Sequence, residues 1–151
     1  MQKSTFVYAT YIRTTPEKLW AALTQPEFIR QYFFGATQES TWKPGAAWKM
    51  TLPDGTLTDA GEVLEIDPPR RLVLKWRNEC KPEARAEGYS RMTYLIEPGS
   101  GSIKLTVTHE IDKPASKLIE SVSNGWPVIM ASLKSLLETG KALEEEAPCK
   151  H

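Results

Sequence analysis

His109 is the residue best suited to chemistry in this chain, and its neighbours define its setting. In the stretch Ile103 to Ile111 a period of two places Ile103, Leu105, Val107, His109 and Ile111 on one face. Lys104, Thr106, Thr108 and Glu110 fall on the other. An imidazole among aliphatic side chains needs a partner, which is a ligand, Glu62 or a backbone carbonyl. As a general base it would need a positioned acid or nucleophile. No Ser/His/Asp or Cys/His pattern supplies one. Glu62 shares a period-two face with Leu64 and Ile66. Buried there, its pKa would rise unless Arg77 or Arg91 reached it, whereas an edge position would leave the carboxylate in solvent. Glu62 and His109 are thus the one acid–base combination on offer, and the reading leans away from an enzyme.

Other chemistries find less support. The second histidine, His151, is terminal, and Cys80 and Cys149 fit no metal spacing, so no metal site is expected and both thiols read as free. Gly45, Gly55 and Gly61 make no phosphate-binding pattern, so no cofactor is expected. Lysine plus arginine equals aspartate plus glutamate at 19 each, which gives nucleic acid no basic surface to read. No apolar run approaches about 18 residues, and Met1-Gln2-Lys3-Ser4 opens no signal-peptide pattern. No membrane span and a cytoplasmic location are expected. Nothing in the sequence sets the oligomeric state.

The elements that must position these groups follow from periodicity and turn residues. Thr5 to Arg13 reads as a strand, and Thr15-Pro16-Glu17 starts a helix whose apolar face is Leu19, Trp20 and Leu23. A second short helix carries Phe28, Ile29, Tyr32 and Phe33. Six strands are then expected over Thr37–Trp42, Ala46–Leu52, Leu57–Ile66, Leu72–Arg77, Gly88–Ile96 and Ile103–Ile111. The turns between them are rich in proline, glycine and aspartate. Lys81 to Glu87 is polar and reads as a mobile loop. Short connections argue for an antiparallel meander whose single apolar face needs a cover.

That cover is the last long segment. Leu118, Val122, Trp126, Ile129, Leu133, Leu136 and Leu137 recur at helical spacing. A helix from Ala115 to Thr139 would be roughly 36 Å long. Pro127 lacks the amide that the Ser123 carbonyl would accept, so a bend or a hydrogen-bond gap is expected within Asn124–Pro127. A bent helix bearing a tryptophan, laid over a sheet, can leave a space beneath it. The residues expected to line such a space are Trp48, Met50, Glu62, Leu64, Leu74, Trp76, Met92, Tyr94, Leu105, Val107 and His109 from the sheet. Trp126, Met130 and Leu133 face them from the helix. Methionine supplies adaptable lining and indole N–H groups can orient a ligand, although the same residues can simply pack a core. With no cationic cluster inward, a neutral or weakly polar ligand of lipid or polyketide size suits the space better than a nucleotide or a sugar phosphate.

The run TPEKLWAALTQPEFIRQYFFG, followed by WKPGAAWKM, GEVLEIDPPRRLVLKW, SRMTYLIEP, LTVTHE and SNGWPVIMASLKSLLETG, resembles the Aha-type branch of the START-like (SRPBCC, Bet v 1-like) superfamily, named for the C-terminal domain of the activator of the Hsp90 ATPase. The likeness runs from about Phe6 to Gly140. It implies an α+β helix-grip fold, with a seven-stranded antiparallel sheet curled around a long C-terminal helix and two short helices after the first strand. One domain over residues 1–151 is expected, ordered over about 5–140, with a flexible tail at 144–151. The resemblance further implies a small hydrophobic ligand between sheet and helix. An Hsp90-type chaperone as partner, or an enzyme acting on an apolar substrate in the same cavity, stand as alternatives. It brings no shared catalytic motif.

Overall fold

The computed structural model describes residues 3–144, so the expected tail beyond them, with Cys149 and His151, lies outside the described residues. Strand β1 (Ser4–Ile12) is followed by helices α1 (Pro16–Thr24) and α2 (Pro26–Tyr32). Thr15 is extended, and its hydroxyl accepts the Lys18 amide at 3.2 Å, capping α1 as its sequence requires. Strands β2 (Thr37–Glu39), β3 (Ala47–Thr51), β4 (Leu57–Asp67) and β5 (Arg71–Asn78) come next. A one-turn helix α3 (Pro82–Arg85) then precedes β6 (Ser90–Pro98), β7 (Ile103–Ile111) and the long helix α4 (Lys117–Thr139).

The seven strands form one antiparallel sheet in the order β1-β7-β6-β5-β4-β3-β2. β1 does not pair with its sequence neighbours; it lies on β7, from Ser4↔Ile111 to Ile12↔Ile103. The α1–α2 unit therefore carries the chain from one edge of the sheet to the other. On β7 burial alternates through all nine residues, with His109 fully buried. The apolar stripe of α4, including Leu118, Trp126, Ile129, Leu133 and Leu136, is buried. Sheet and helix together close the core.

Several elements depart from expectation. β2 stops at Glu39, because Trp42 takes a left-handed conformation (φ 56°) and the Ser40 hydroxyl accepts its amide at 3.0 Å, turning the chain out of the sheet. α4 starts at Lys117, since Ala115 is also left-handed (φ 49°) and Ser116 is the cap, accepting the Ile119 amide at 3.1 Å. The helix continues on both sides of Pro127, where the proline gives no amide to the Ser123 carbonyl. The segment expected to be a mobile loop forms α3, with Ala84 buried against α4. Cys80 is disulfide-bonded, so the expectation of a free thiol there is corrected, and cysteine usage gives no argument for a reducing compartment. No described helix is long and apolar enough to cross a membrane.

β4 carries the correction with most consequence. Its pairing with β5 runs Gly61↔Trp76, Glu62↔Lys75 and Val63↔Leu74, then slips to Glu65↔Val73, leaving Leu64 as the extra residue of a bulge. The bulge reverses parity. Asp59, Gly61 and Val63 share the inward face before it, and Ile66 does so after it, opposite buried Leu72. A continuous alternation through Glu62, Leu64 and Ile66 therefore fails. Glu62 points outward, 3.8 Å from Lys75, and Leu64 is exposed. Gly61 marks the close approach: a Cβ there would lie 1.7 Å from the Lys75 carbonyl oxygen.

Candidate functional site

A cavity of about 580 Å³ lies between the first half of α4, the segment after α2, and the start of β4 beside the end of β5. Its lining is apolar and largely aromatic at Phe33, Phe34, Trp76, Val122, Trp126 and Ile129, and polar at Asp59, Asn78, Lys81, Ser121 and Asn124. Sheet register brings polar groups together, because Asp59 stands opposite Asn78 where β4 begins and β5 ends. Lys81 follows shortly after β5, and its ammonium donates to the Ser121 hydroxyl at 2.7 Å, joining this end of the sheet to α4. Asn78 Oδ1 accepts the amides of Cys80 at 3.1 Å and Lys81 at 2.7 Å, which fixes the chain as it leaves β5. Phe34 holds a left-handed backbone (φ 55°) ahead of Gly35 (φ 93°). An aromatic residue kept in that conformation on a cavity wall is strain held in place by its surroundings.

Asp59 is the acid in the lining of this cavity. Trp76 donates its indole N–H to Oδ1 at 2.8 Å. Burial pushes the carboxyl up to about 6, with the Thr58 and Trp76 hydrogen bonds pulling back; Glu79 raises it further and Lys81 lowers it. A half-buried acid with a raised pKa, facing a cavity, is a candidate functional group.

His109 has a different role. Its Nδ1 accepts the Trp126 indole N–H at 3.1 Å, so Nε2 carries the proton and donates to Ser90 Oγ, 2.8 Å away. Ser90 in turn donates to the Trp76 carbonyl at 2.9 Å. Both ring nitrogens are satisfied, and burial lowers the pKa to about 3, leaving the ring neutral. Its partners are thus Trp126 and Ser90, not Glu62. Trp48, Trp76 and Trp126 pack together, with ring centroids 4.5 Å apart for the first pair and 5.8 Å for Trp76 with Trp126, while Trp20 is only partly buried against the core. The third indole, that of Trp48, donates to Gln38 Oε1 at 2.7 Å.

Of the fourteen positions expected to line a ligand space, Trp76 and Trp126 line the cavity. Trp48, Met50, Leu74, Met92, Tyr94 and Leu105 are buried in the core, as are Val107, His109, Met130 and Leu133. Glu62 and Leu64 face away. The space sits toward one end of the helix rather than along the whole concave face. Asp59, Asn78, Lys81 and Ser121 escaped the sequence reading. The available signal was Gly61: a glycine inside a strand points to a bulge, and a bulge resets which residues face inward.

Comparison with known proteins agrees with the fold. The chain matches a crystal structure of protein MLL2253 from Mesorhizobium loti at 25% identity and a TM-score of 0.77, covering 89% of this chain and 97% of that one. It also matches the solution structure of the Aha1 dimer from Colwellia psychrerythraea, at 18% identity and a TM-score of 0.73 over 92% and 99% of the two chains. A third likeness, to DynU16, a protein in the dynemicin biosynthetic locus, has 20% identity and a TM-score of 0.73. It covers 93% of this chain and 50% of that one. The two likenesses below 25% identity show the fold alone. Among curated proteins no match is found. The family described as "Activator of Hsp90 ATPase homolog 1-like protein" matches residues 13–138, and with the helix-grip fold now in view the chain belongs to that family, in the Aha-type branch of the START-like superfamily.

Proposed function

We propose that this protein binds a small, largely apolar molecule in the cavity between the first half of α4 and the neighbouring ends of β4 and β5. The observation that carries the proposal is the cavity itself: about 580 Å³, lined by aromatic rings together with a few polar groups. This is the usual make-up and size of a small-molecule site. The strained Phe34 backbone on its wall supports the same reading. DynU16, whose fold this chain shares, belongs to a biosynthetic locus, which is compatible with a metabolite as ligand. The ligand's body packs against Phe33, Phe34 and Trp126, and its polar atoms meet Asp59, Asn78 or Lys81.

A carrier or sensor role suits the arrangement better than catalysis. Asp59 is the single acid on the cavity wall, and His109 is committed to Trp126 and Ser90. Native mass spectrometry of freshly purified protein, followed by calorimetric titration with a panel of aromatic and lipid probes, tests the proposal. Saturable one-to-one binding that is weakened by Trp126→Ala or Phe34→Ala is the expected result. No binding across the panel, from protein shown to be folded, overturns it.

A further inference from the structure

The cavity's polar wall is electrically balanced, and its charges are not spent on each other. Asp59 is its anion and Lys81 its cation. No ion pair joins them among the described residues, because Lys81 is turned to Ser121. Asp59 keeps acceptor capacity. A carboxylate has about four lone-pair positions, of which the Trp76 indole uses one. Beside it are donors: the Asn78 amide, whose oxygen is already occupied by two backbone amides, and the remaining protons of the Lys81 ammonium. These groups thus offer a strong acceptor next to donors, with no net charge, and much of the remaining lining is aromatic.

We infer that the cavity selects an uncharged aromatic molecule bearing a hydroxyl donor, with Asp59 as the specificity residue that accepts that hydroxyl and the Asn78–Lys81 side meeting an acceptor atom beside it. This rests on the reading that the cavity holds a small apolar ligand, and narrows the class of that ligand. A permanent anion meets the Asp59 carboxylate, and a permanent cation meets the Lys81 ammonium. A wholly apolar body strips water from Asp59, Asn78 and Lys81 and gives nothing back. A neutral hydroxyl avoids all three costs. Trp76 joins the aromatic and polar parts of the lining, since its ring lines the cavity while its N–H donates to Asp59.

The test uses four probes with one ring body: 2-naphthol, 2-methoxynaphthalene, 2-naphthoate and 2-naphthylmethylamine. Each is titrated calorimetrically into the full chain at about pH 7.5, where the naphthol is uncharged. The expected result is 2-naphthol binding at least about tenfold more tightly than each of the other three, because a site built to hydrogen-bond a hydroxyl rejects analogues that lack it. Asp59→Asn keeps an oxygen for the Trp76 indole but turns the other acceptor into a donor. It should bring naphthol and methoxynaphthalene to within about twofold. Comparable binding of all four, or tightest binding of the anion or the cation, overturns this inference while leaving the cavity a ligand site. Failure of all four to bind counts against both readings. Should Asp59→Asn fail to fold, the probe ranking on the unsubstituted protein decides alone.

Discussion

Trp126 on α4 donates its indole N–H to His109 Nδ1 on β7, at 3.1 Å in the buried core. This bond joins the helix to the sheet through polar atoms, and it fixes the tautomer that lets Nε2 reach Ser90. His109→Leu would orphan the Trp126 N–H in an apolar setting, which should destabilise the fold by about 1–3 kcal/mol. Adding Trp126→Phe removes the orphan, so the double variant should lose less than the sum of the two single losses. Urea denaturation of the four proteins checks this, and strict additivity would show the bond to be of no account.

The pH dependence of stability should contain two slopes of opposite sign. Asp59 is raised from 3.8 to about 6 in the fold, so between those values the folded state holds the extra proton and stability falls as pH rises. His109 is lowered from 6.5 to about 3, so between those values the unfolded state holds the extra proton and stability rises with pH. The windows overlap between about pH 4 and 6, where the two effects offset each other. The intact protein should be nearly level there, whereas Asp59→Asn should show stability climbing with pH. Thermal melts across that range decide, and unchanged profiles would refute the assignment.

Glu87 should matter more than a surface acid. Its carboxylate accepts the Ser116 hydroxyl at 2.6 Å, the Lys117 amide at 2.7 Å and the Leu118 amide at 3.2 Å, closing the start of α4 from a separate segment. Burial pushes its pKa up, but these hydrogen bonds more than offset that and leave it below the usual value. This stability is present above the unfolded pKa and is lost as pH falls through the lowered folded value. Glu87→Ala should cost about 1–2 kcal/mol, the scale of a lost helix cap. The loss should appear as faster amide exchange in the first turn of α4.

Two glycines should respond in opposite directions to the same substitution. Gly61→Ala drives a methyl into the Lys75 carbonyl, 1.7 Å from the ideal Cβ position, and the β4–β5 pairing must break locally. A loss of several kcal/mol, on the order of 3, is expected. Gly125, inside α4, has nothing within 4 Å of its ideal Cβ. Gly125→Ala should therefore stabilise the protein by about 0.5–1 kcal/mol. Paired denaturation curves check both signs.

How much was legible in the sequence follows from which interactions are local. The Thr15 cap, the stripe of α4 and the alternation of β7 each depend on spacing within one element, and they read correctly. The inward face of β4 did not, because the extra residue at Leu64 reverses parity and a bulge leaves only Gly61 as its trace. The Glu87 contact joins positions about 30 residues apart, and no spacing rule connects them. The expected lining spreads over the concave sheet face and Trp126, Met130 and Leu133, because periodicity shows which side of α4 faces the sheet, not how far the filling extends. Around His109, Met92 and Leu105 side chains occupy the interior; near Asp59 and Asn124 they leave it open.

The pairing of β1 with β7 governs the order in which this protein can be assembled. Strands β2 to β6 can zip together as successive hairpins while the chain is being synthesised, each meeting a partner already made. β1 cannot. It is made first, yet its partner begins at Ile103 and its own first residue waits for Ile111. Until then it is an unclaimed strand with Val7 and Tyr11 on its outer face, and any chain cut short before Ile103 leaves it permanently without a partner. The step that sets the folding rate is therefore expected to be the return of the chain's end to its beginning, in the slow regime of folds built on distant pairings.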